Sequence, residues 1–143
     1  MEYTLLYNEK PFLLKHNENK VVIWSKCVGL NGNTFSLDNS TRLSIPNHAK
    51  MARFSFSFVF PPNPNGYRQV FSRLNGENYP IGYLTSSQYG GFENGSSNSF
   101  SAIGPWITVS KNDYWELIVV QDSGSDMLIL PKTSSWFQAE WLS

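Results

Sequence analysis

Cysteine is nearly missing from this chain: Cys27 is the only one in 143 residues. One thiol excludes an intrachain disulfide framework and any multi-cysteine metal cluster, and leaves Cys27 as a small buried hydrophobe. Histidine is almost as scarce, at His16 and His48, so a nucleophilic triad or a zinc site has few groups to be built from. Charge is low too, at 15% of residues against roughly 25% in an average domain, and eleven basic residues cancel eleven acidic ones. No net field draws the chain to nucleic acid, an anionic membrane or an acidic substrate. No apolar run approaches the roughly eighteen residues of a transmembrane helix. The opening MEYTLLYNEKPFLLKHNENK lacks the basic start and continuous apolar core of a signal peptide. The expectation is a soluble protein made in a cytoplasm, without nucleic-acid or membrane partners.

What the chain has in plenty is aromatic residues, 15% of the total, together with Asn, Ser and Gly. They are arranged as short strands between turns. Apolar or alternating runs occur at VVIWSKCV (21–28), TFSL (34–37), RLSI (42–45) and MARFSFSFVF (51–60). In the last of these, Phe54, Phe56, Phe58 and Phe60 share one parity while Arg53, Ser55 and Ser57 take the other, the period of a strand with one buried face. PPNPNG (61–66) is a rigid connection, because its prolines cannot donate to a ladder. YRQVFSRL (67–74) follows as a strand, and Asn75-Gly76 is a hairpin turn leading into YPIGYL (79–84).

SSQYGGFENGSSNS (86–99) predicts a long surface loop carrying Tyr89 and Phe92. Beyond it FSAI, WITV (106–109), YWELIVVQ (114–121), MLIL (127–130) and SWFQAEWL (135–142) bring the count to about ten strands, with no sustained helical period. So many short strands in one domain predict an all-β antiparallel sandwich, with a jelly roll as first choice. YWELIVVQ is apolar on both parities over Leu117 to Val120, as for a central strand covered on both faces, one by the core and the other by a neighbouring subunit.

Motifs that carry chemistry are absent: there is no G-x-S-x-G, no phosphate-binding glycine loop and no zinc spacing. Asp122 and Asp126 flank a Ser-Gly-Ser turn and are a weak calcium candidate, against the plainer reading of a turn closed by Asp122 and Gly124. Glu116, inside a strand, is expected to pair with Arg or Lys across the sheet. The five tryptophans, at strand positions, suit core or subunit contacts better than a sugar platform. The chain is expected not to be an enzyme and to carry no cofactor.

From Trp24 onward the order of features is recognisable. A strand ends in Pro46, and an aromatic strand, an N-x-x-G-Y-R turn (63–68) and a Leu-Asn-Gly hairpin follow it. Further on come N-D-Y-W-E-L with V-V-Q-D-S-G, and a final W-F-x-A-E strand. Over residues 21–143 this resembles the trimeric jelly-roll family of tumour necrosis factor and the complement globular head, in the versions found in bacteriophage virion proteins. The resemblance implies a homotrimer, with Tyr114, Leu117, Val119, Trp136 and Phe137 as trimer-core candidates, for core or axis packing.

Residues 1–20 carry no Gly-X-Y or heptad shaft, which suits a capsid decoration, or cement, protein better than a fibre tip. Such a trimer would clamp neighbouring major capsid subunits on the outer surface of a virion. Residues 1–20 are then either an arm that contacts the capsid through Tyr3, Leu5, Tyr7 and Phe12, or an edge strand of the sandwich. The competing reading is a receptor- or carbohydrate-binding head that holds a host-surface glycan with Tyr89 and Phe92.

Overall fold

The alternation over 51–60 is realised residue for residue. Phe54, Phe56, Phe58 and Phe60 are all buried to 1% exposure or less, inside a strand that spans the whole run, Met51–Phe60. The structure is a computed structural model in which residues 2–29, 37–77, 85–89 and 98–143 are described. In chain order the strands are β1 (Glu2–Tyr7), β2 (Phe12–Leu14), β3 (Lys20–Val21), β4 (Lys26–Gly29), β5 (Leu43–Ser44), β6 (Met51–Phe60) and β7 (Tyr67–Leu74). They continue with β8 (Thr85–Tyr89), β9 (Asn98–Ile103), β10 (Ile107–Thr108), β11 (Tyr114–Gln121), β12 (Met127–Ile129) and β13 (Trp136–Leu142). Two short 3-10 turns, Leu37–Asn39 and Lys132–Ser134, complete the described elements.

All pairings are antiparallel, in two main sheets and a ribbon. One sheet runs β10-β6-β13-β1-β4, with β9 also on β6, and the other runs β3-β11-β7-β8, with β5 also on β11. Strand β2 pairs with β12 as the ribbon. Phe54 of the first sheet meets Trp115 of the second, ring centroids 3.9 Å apart, and packs 6.2 Å from Phe137 on its own sheet. Leu117, Val119 and Val70 complete the same core from the second sheet. Each fully buried aromatic or aliphatic side chain here contributes about 1.5–3 kcal/mol of hydrophobic stabilisation.

The segment 21–28 is not one strand, because it changes sheets. Val21 pairs with Ile118 in the second sheet, whereas Lys26 to Gly29 pair with β1 in the first. Between them Val22 and Trp24 stay buried while Ile23 is 55% exposed, so the apolar alternation survives although the ladder is broken. The predicted 34–37 strand falls largely outside the described residues, and Leu37 opens a 3-10 turn.

The Asn75-Gly76 turn forms as expected. Both residues have positive φ, 52° and 83°, and Leu74 and Glu77 exchange backbone hydrogen bonds across it. Residues 79–84, predicted to be its returning strand, lie outside the described residues; the next described strand, β8, pairs with β7 from Phe71↔Thr85 to Tyr67↔Tyr89. This corrects the expected 86–99 loop, since its first residues belong to β8 and its last to β9, which pairs with β6. Both strands pair on one side only among the described residues, and such positions tolerate a Ser- and Asn-rich composition that gives no apolar alternation to read.

Residues 1–20 are not a free arm. Strand β1 lies between β13 and β4, an interior rather than an edge position, and Leu6 is fully buried. Strand β2 buries Leu14 completely, and its Phe12 packs 6.2 Å from the Phe58 ring.

The turns around β11 explain why acids flank it. Asp122 accepts a hydrogen bond from the Tyr67 backbone N–H, and the Asp122 N–H donates to the Tyr67 carbonyl at 3.0 Å. This ties the end of β11 to the start of β7. Arg68, fully buried, donates to the carbonyls of Asn63 and Asn65 and so holds the proline-rich connection in place. Burial pushes the Arg68 guanidinium below its ordinary pKa, and the nearby Asp122 carboxylate partly opposes this. Gly66, between them, has φ +79°, and an added Cβ would lie 2.5 Å from the Asp122 carbonyl oxygen. Gly66→Ala is therefore expected to cost about 2–3 kcal/mol, because neither backbone can yield. Thermal unfolding should register this as a fall in Tm of roughly 6–12 °C.

Candidate functional site

Pairing register decides which side chains leave the core, because directly opposed residues on antiparallel strands share a face. On β13, Phe137, Ala139 and Trp141 are buried, so Trp136, Gln138, Glu140 and Leu142 face outward. Their partners follow. Trp136 is opposite Tyr7, Gln138 opposite Leu5, and Glu140 opposite Tyr3; across β6, Glu140 is opposite Arg53 and Leu142 opposite Met51. Val28 of β4 stands next to Leu5.

The outward face of the six-stranded sheet is thus an aromatic and aliphatic field. Its exposed members include Ile103 at 75%, opposite Ser55, with Tyr3 at 38%, Val28 at 47%, Met51 at 37% and Leu142 at 41%. Leu5, Tyr7 and Trp136, with Glu9 and Lys132 at the rim, line a groove of about 670 Å³. Glu9 is paired with Lys26 at 3.3 Å.

A charged pair sits in this field. Arg53 donates from Nε to Glu140 Oε1 at 3.2 Å and from Nη2 to Glu140 Oε2 at 3.1 Å, a two-point pairing. Gln138 Nε2 adds a third donor to the same carboxylate at 3.4 Å. The guanidinium also lies over the Trp106 ring, 5.0 Å from its centroid. These contacts hold Arg53 and Glu140 in one geometry without a second chain.

Two groups of predicted residues converge here, and others do not. Tyr3, Leu5 and Tyr7, expected as capsid contacts, and Trp136, expected at the trimer axis, share this one face. Leu117, Val119 and Phe137 are fully buried inside the single chain, so of the two expected places, core or axis, these three take the core. Tyr114 belongs to the other sheet, where Arg42 lies 4.0 Å from its ring centroid. Tyr89 lies in β8 opposite Tyr67, and Phe92 lies outside the described residues. Arg53, Gln138, Glu140 and Val28 were not foreseen. Parity along 136–142 was the available signal: Trp136 and Phe137 are neighbours in a strand, so they cannot both point at one axis.

The acids and histidines singled out in the sequence have partners that account for them. Glu116, opposite Arg73 in the register, is 3.1 Å from its guanidinium and accepts from Thr41 Oγ1 at 2.6 Å, the expected cross-sheet pair. His48 contacts Glu2 at 2.9 Å, and His16 Nδ1 accepts from the Gly124 N–H at 3.0 Å. Asp126 accepts from the His16 N–H, while Asp122 is engaged by Tyr67. No group of three or more His, Cys, Asp and Glu able to hold a metal gathers among the described residues. Cys27 is half-buried, and burial raises its thiol pKa, which disfavours the reactive thiolate.

No protein-family model matches the chain, and no curated protein matches it. Solved structures do. Eiger TNF from S. frugiperda superposes with a TM-score of 0.65 at 10% identity, over 100% of this chain and 92% of that one. Murine APRIL, crystallised at pH 5.0, gives 0.66 at 10% identity, over 99% and 98%. At this identity the likeness is one of fold, and it agrees with the sheet order and register found above. The chain is a TNF-like jelly-roll β-sandwich.

Proposed function

We propose that the protein is a non-enzymatic homotrimer that decorates the outer surface of a bacteriophage capsid and clamps neighbouring major capsid subunits. The observation that carries the self-association is the outward face of the six-stranded sheet. Tyr3, Leu5, Tyr7, Val28 and Trp136 form a continuous apolar field with a groove in it, the kind of contiguous patch that marks a protein–protein interface. The TNF-like fold is consistent with self-association.

The capsid contact is assigned to a different place. On the β2–β12 ribbon Leu13 and Leu128 stand opposite each other, and Leu13, Leu128 and Leu130 are 46%, 50% and 56% exposed. One such patch is far smaller than the roughly 800 Å² per partner of a stable interface. Three copies on a trimer engage a threefold point of a shell together and multiply a weak contact. The phage setting rests on the order of sequence motifs over 21–143.

Two measurements test this. Native mass spectrometry should give three times the chain mass, and a monomer at micromolar concentration would overturn the trimer. Particles assembled without the protein should lose resistance to heat or low salt and regain it on adding the protein back. Unchanged resistance, or a tail location by electron microscopy, would overturn the capsid role.

A further inference from the structure

We propose a second site: a binding cleft for a neutral hexose, between edge strand β10 and the β7 hairpin turn. It goes beyond the assembly reading and does not depend on it, because one chain supplies all of the lining. Leu74, Trp106, Ile107, Thr108, Ser110 and Asp113 enclose about 560 Å³, within the range of small-molecule pockets.

The chemistry of the lining selects the ligand class. Trp106 is half-buried, and Arg53 lies over its ring; its indole still contributes apolar surface to the cleft beside Leu74 and Ile107. A hexose presents a C–H-rich face that packs on such a ring and hydroxyls that both donate and accept. Thr108 and Ser110 are exposed and offer hydroxyls of the same double character. Asp113 offers an acceptor. Its Oδ1 takes one hydrogen bond from Asn75 Nδ2 at 3.0 Å, and its Oδ2 takes one from the Ser110 N–H at 2.8 Å. Each oxygen therefore keeps a lone pair, and two vicinal sugar hydroxyls can donate to them. Among the described lining residues Asp113 is the one ionisable side chain, and the Arg53 cation over Trp106 is already held by Glu140, so an anionic sugar meets the Asp113 carboxylate and gains less than a neutral one.

The cleft is also preformed. Asn75 Oδ1 accepts from the Tyr114 N–H at 2.9 Å, the Asn75 N–H donates to the Tyr114 carbonyl at 2.9 Å, and the Asp113 carbonyl accepts from Ile45 at 3.0 Å. Strand β10 is fixed to β6 through Ile107↔Ala52 and Thr108↔Met51. A ligand therefore binds without ordering a loop, which removes much of the entropic cost of a weak polar contact.

The native full-length protein is probed on an array of neutral and acidic glycans, with isothermal titration of any hit and native mass recorded alongside. At least one glycan with a neutral terminal hexose should bind, and acidic-terminated relatives should bind more weakly. Trp106→Ala should weaken the hit tenfold or more. Thr108→Ala and Ser110→Ala, at exposed positions, should each weaken it about two- to tenfold, the loss expected of one hydrogen bond. Ser110→Ala should keep the wild-type native mass and melting temperature; Trp106, under Arg53, and Thr108, opposite Met51, border the subunit face, so their binding is compared with wild type on folded protein of the same native mass. Absence of any hit with the native protein would overturn the proposal, as would a hit that survives both Trp106→Ala and Thr108→Ala. A glycan hit from a monomeric protein would uphold the cleft while the trimer fails, so the two readings fall separately.

Discussion

Leu5→Glu is expected to leave a folded monomer. Leu5 points away from the core, between Gln138 and Val28 in the register, and lines the groove with Tyr7 and Trp136, so a carboxylate there disturbs nothing inside the sandwich. Between subunits it removes about 2 kcal/mol of apolar burial per copy and adds a charge with no partner, three times in each assembly. Native mass spectrometry and sedimentation should move from three chain masses to one, while the far-ultraviolet spectrum stays that of the wild type. Leu117→Ala, at a position foreseen for core or axis and enclosed by the core, should do the reverse. It loses about 2–5 kcal/mol of stability and leaves the subunit face untouched. A trimer that tolerates Leu5→Glu would move the interface to another face.

Phe54→Ala should bring the fold close to its limit. The Phe54 ring lies between the two sheets, 3.9 Å from the Trp115 centroid and 6.2 Å from that of Phe137. Removing it opens a cavity that rigid strands on both sides cannot close, at a cost of about 3–5 kcal/mol. A domain of this size has only about 5–15 kcal/mol in total. Urea titration should show a midpoint shifted far below the wild type with an unchanged slope. A loss under 1 kcal/mol would mean that the sheets do not meet at Phe54.

Much of this architecture was legible from side-chain parity alone. The bounds of β6, β7 and β11 coincide with the runs read from MARFSFSFVF, YRQVFSRL and YWELIVVQ, because in each the inward residues are apolar and turn residues stand at the ends. Strand β8 was hidden, since an edge strand made of Thr, Ser and Gln carries no alternation that separates it from a loop, whereas β9 was read from Phe100 onward and only its first two residues were taken into the loop. The break at 22–25 was hidden for another reason: a strand that passes from one sheet to the other keeps its inward parity while it changes partners. The site was legible only as a set of unsorted names. Tyr3, Leu5, Tyr7 and Trp136 were picked out for different roles, and only the β1–β13 register puts them on one surface. Leu117 and Val119 were expected at the core or the axis, because apolar residues on both parities of a strand suggest two covered faces. Here the outward residues beside them, Ile118 and Glu116, are covered within the chain, by the pairing of Ile118 with Val21 and Phe71 and of Glu116 with Arg73.

The position of β1 between β13 and β4 governs the order in which the molecule can be made. Glu2 is opposite Trp141 in the finished sheet, so a residue of the first strand described waits for a residue of the last. Until β13 emerges, the six-stranded sheet has no middle: β1 can pair only with β4, and β6 stands with one flank open. Pairings that span nearly the whole chain place folding in the slow range of all-β domains, milliseconds to seconds. During that interval the aromatic flank of β6 is uncovered and exposed to association between nascent chains.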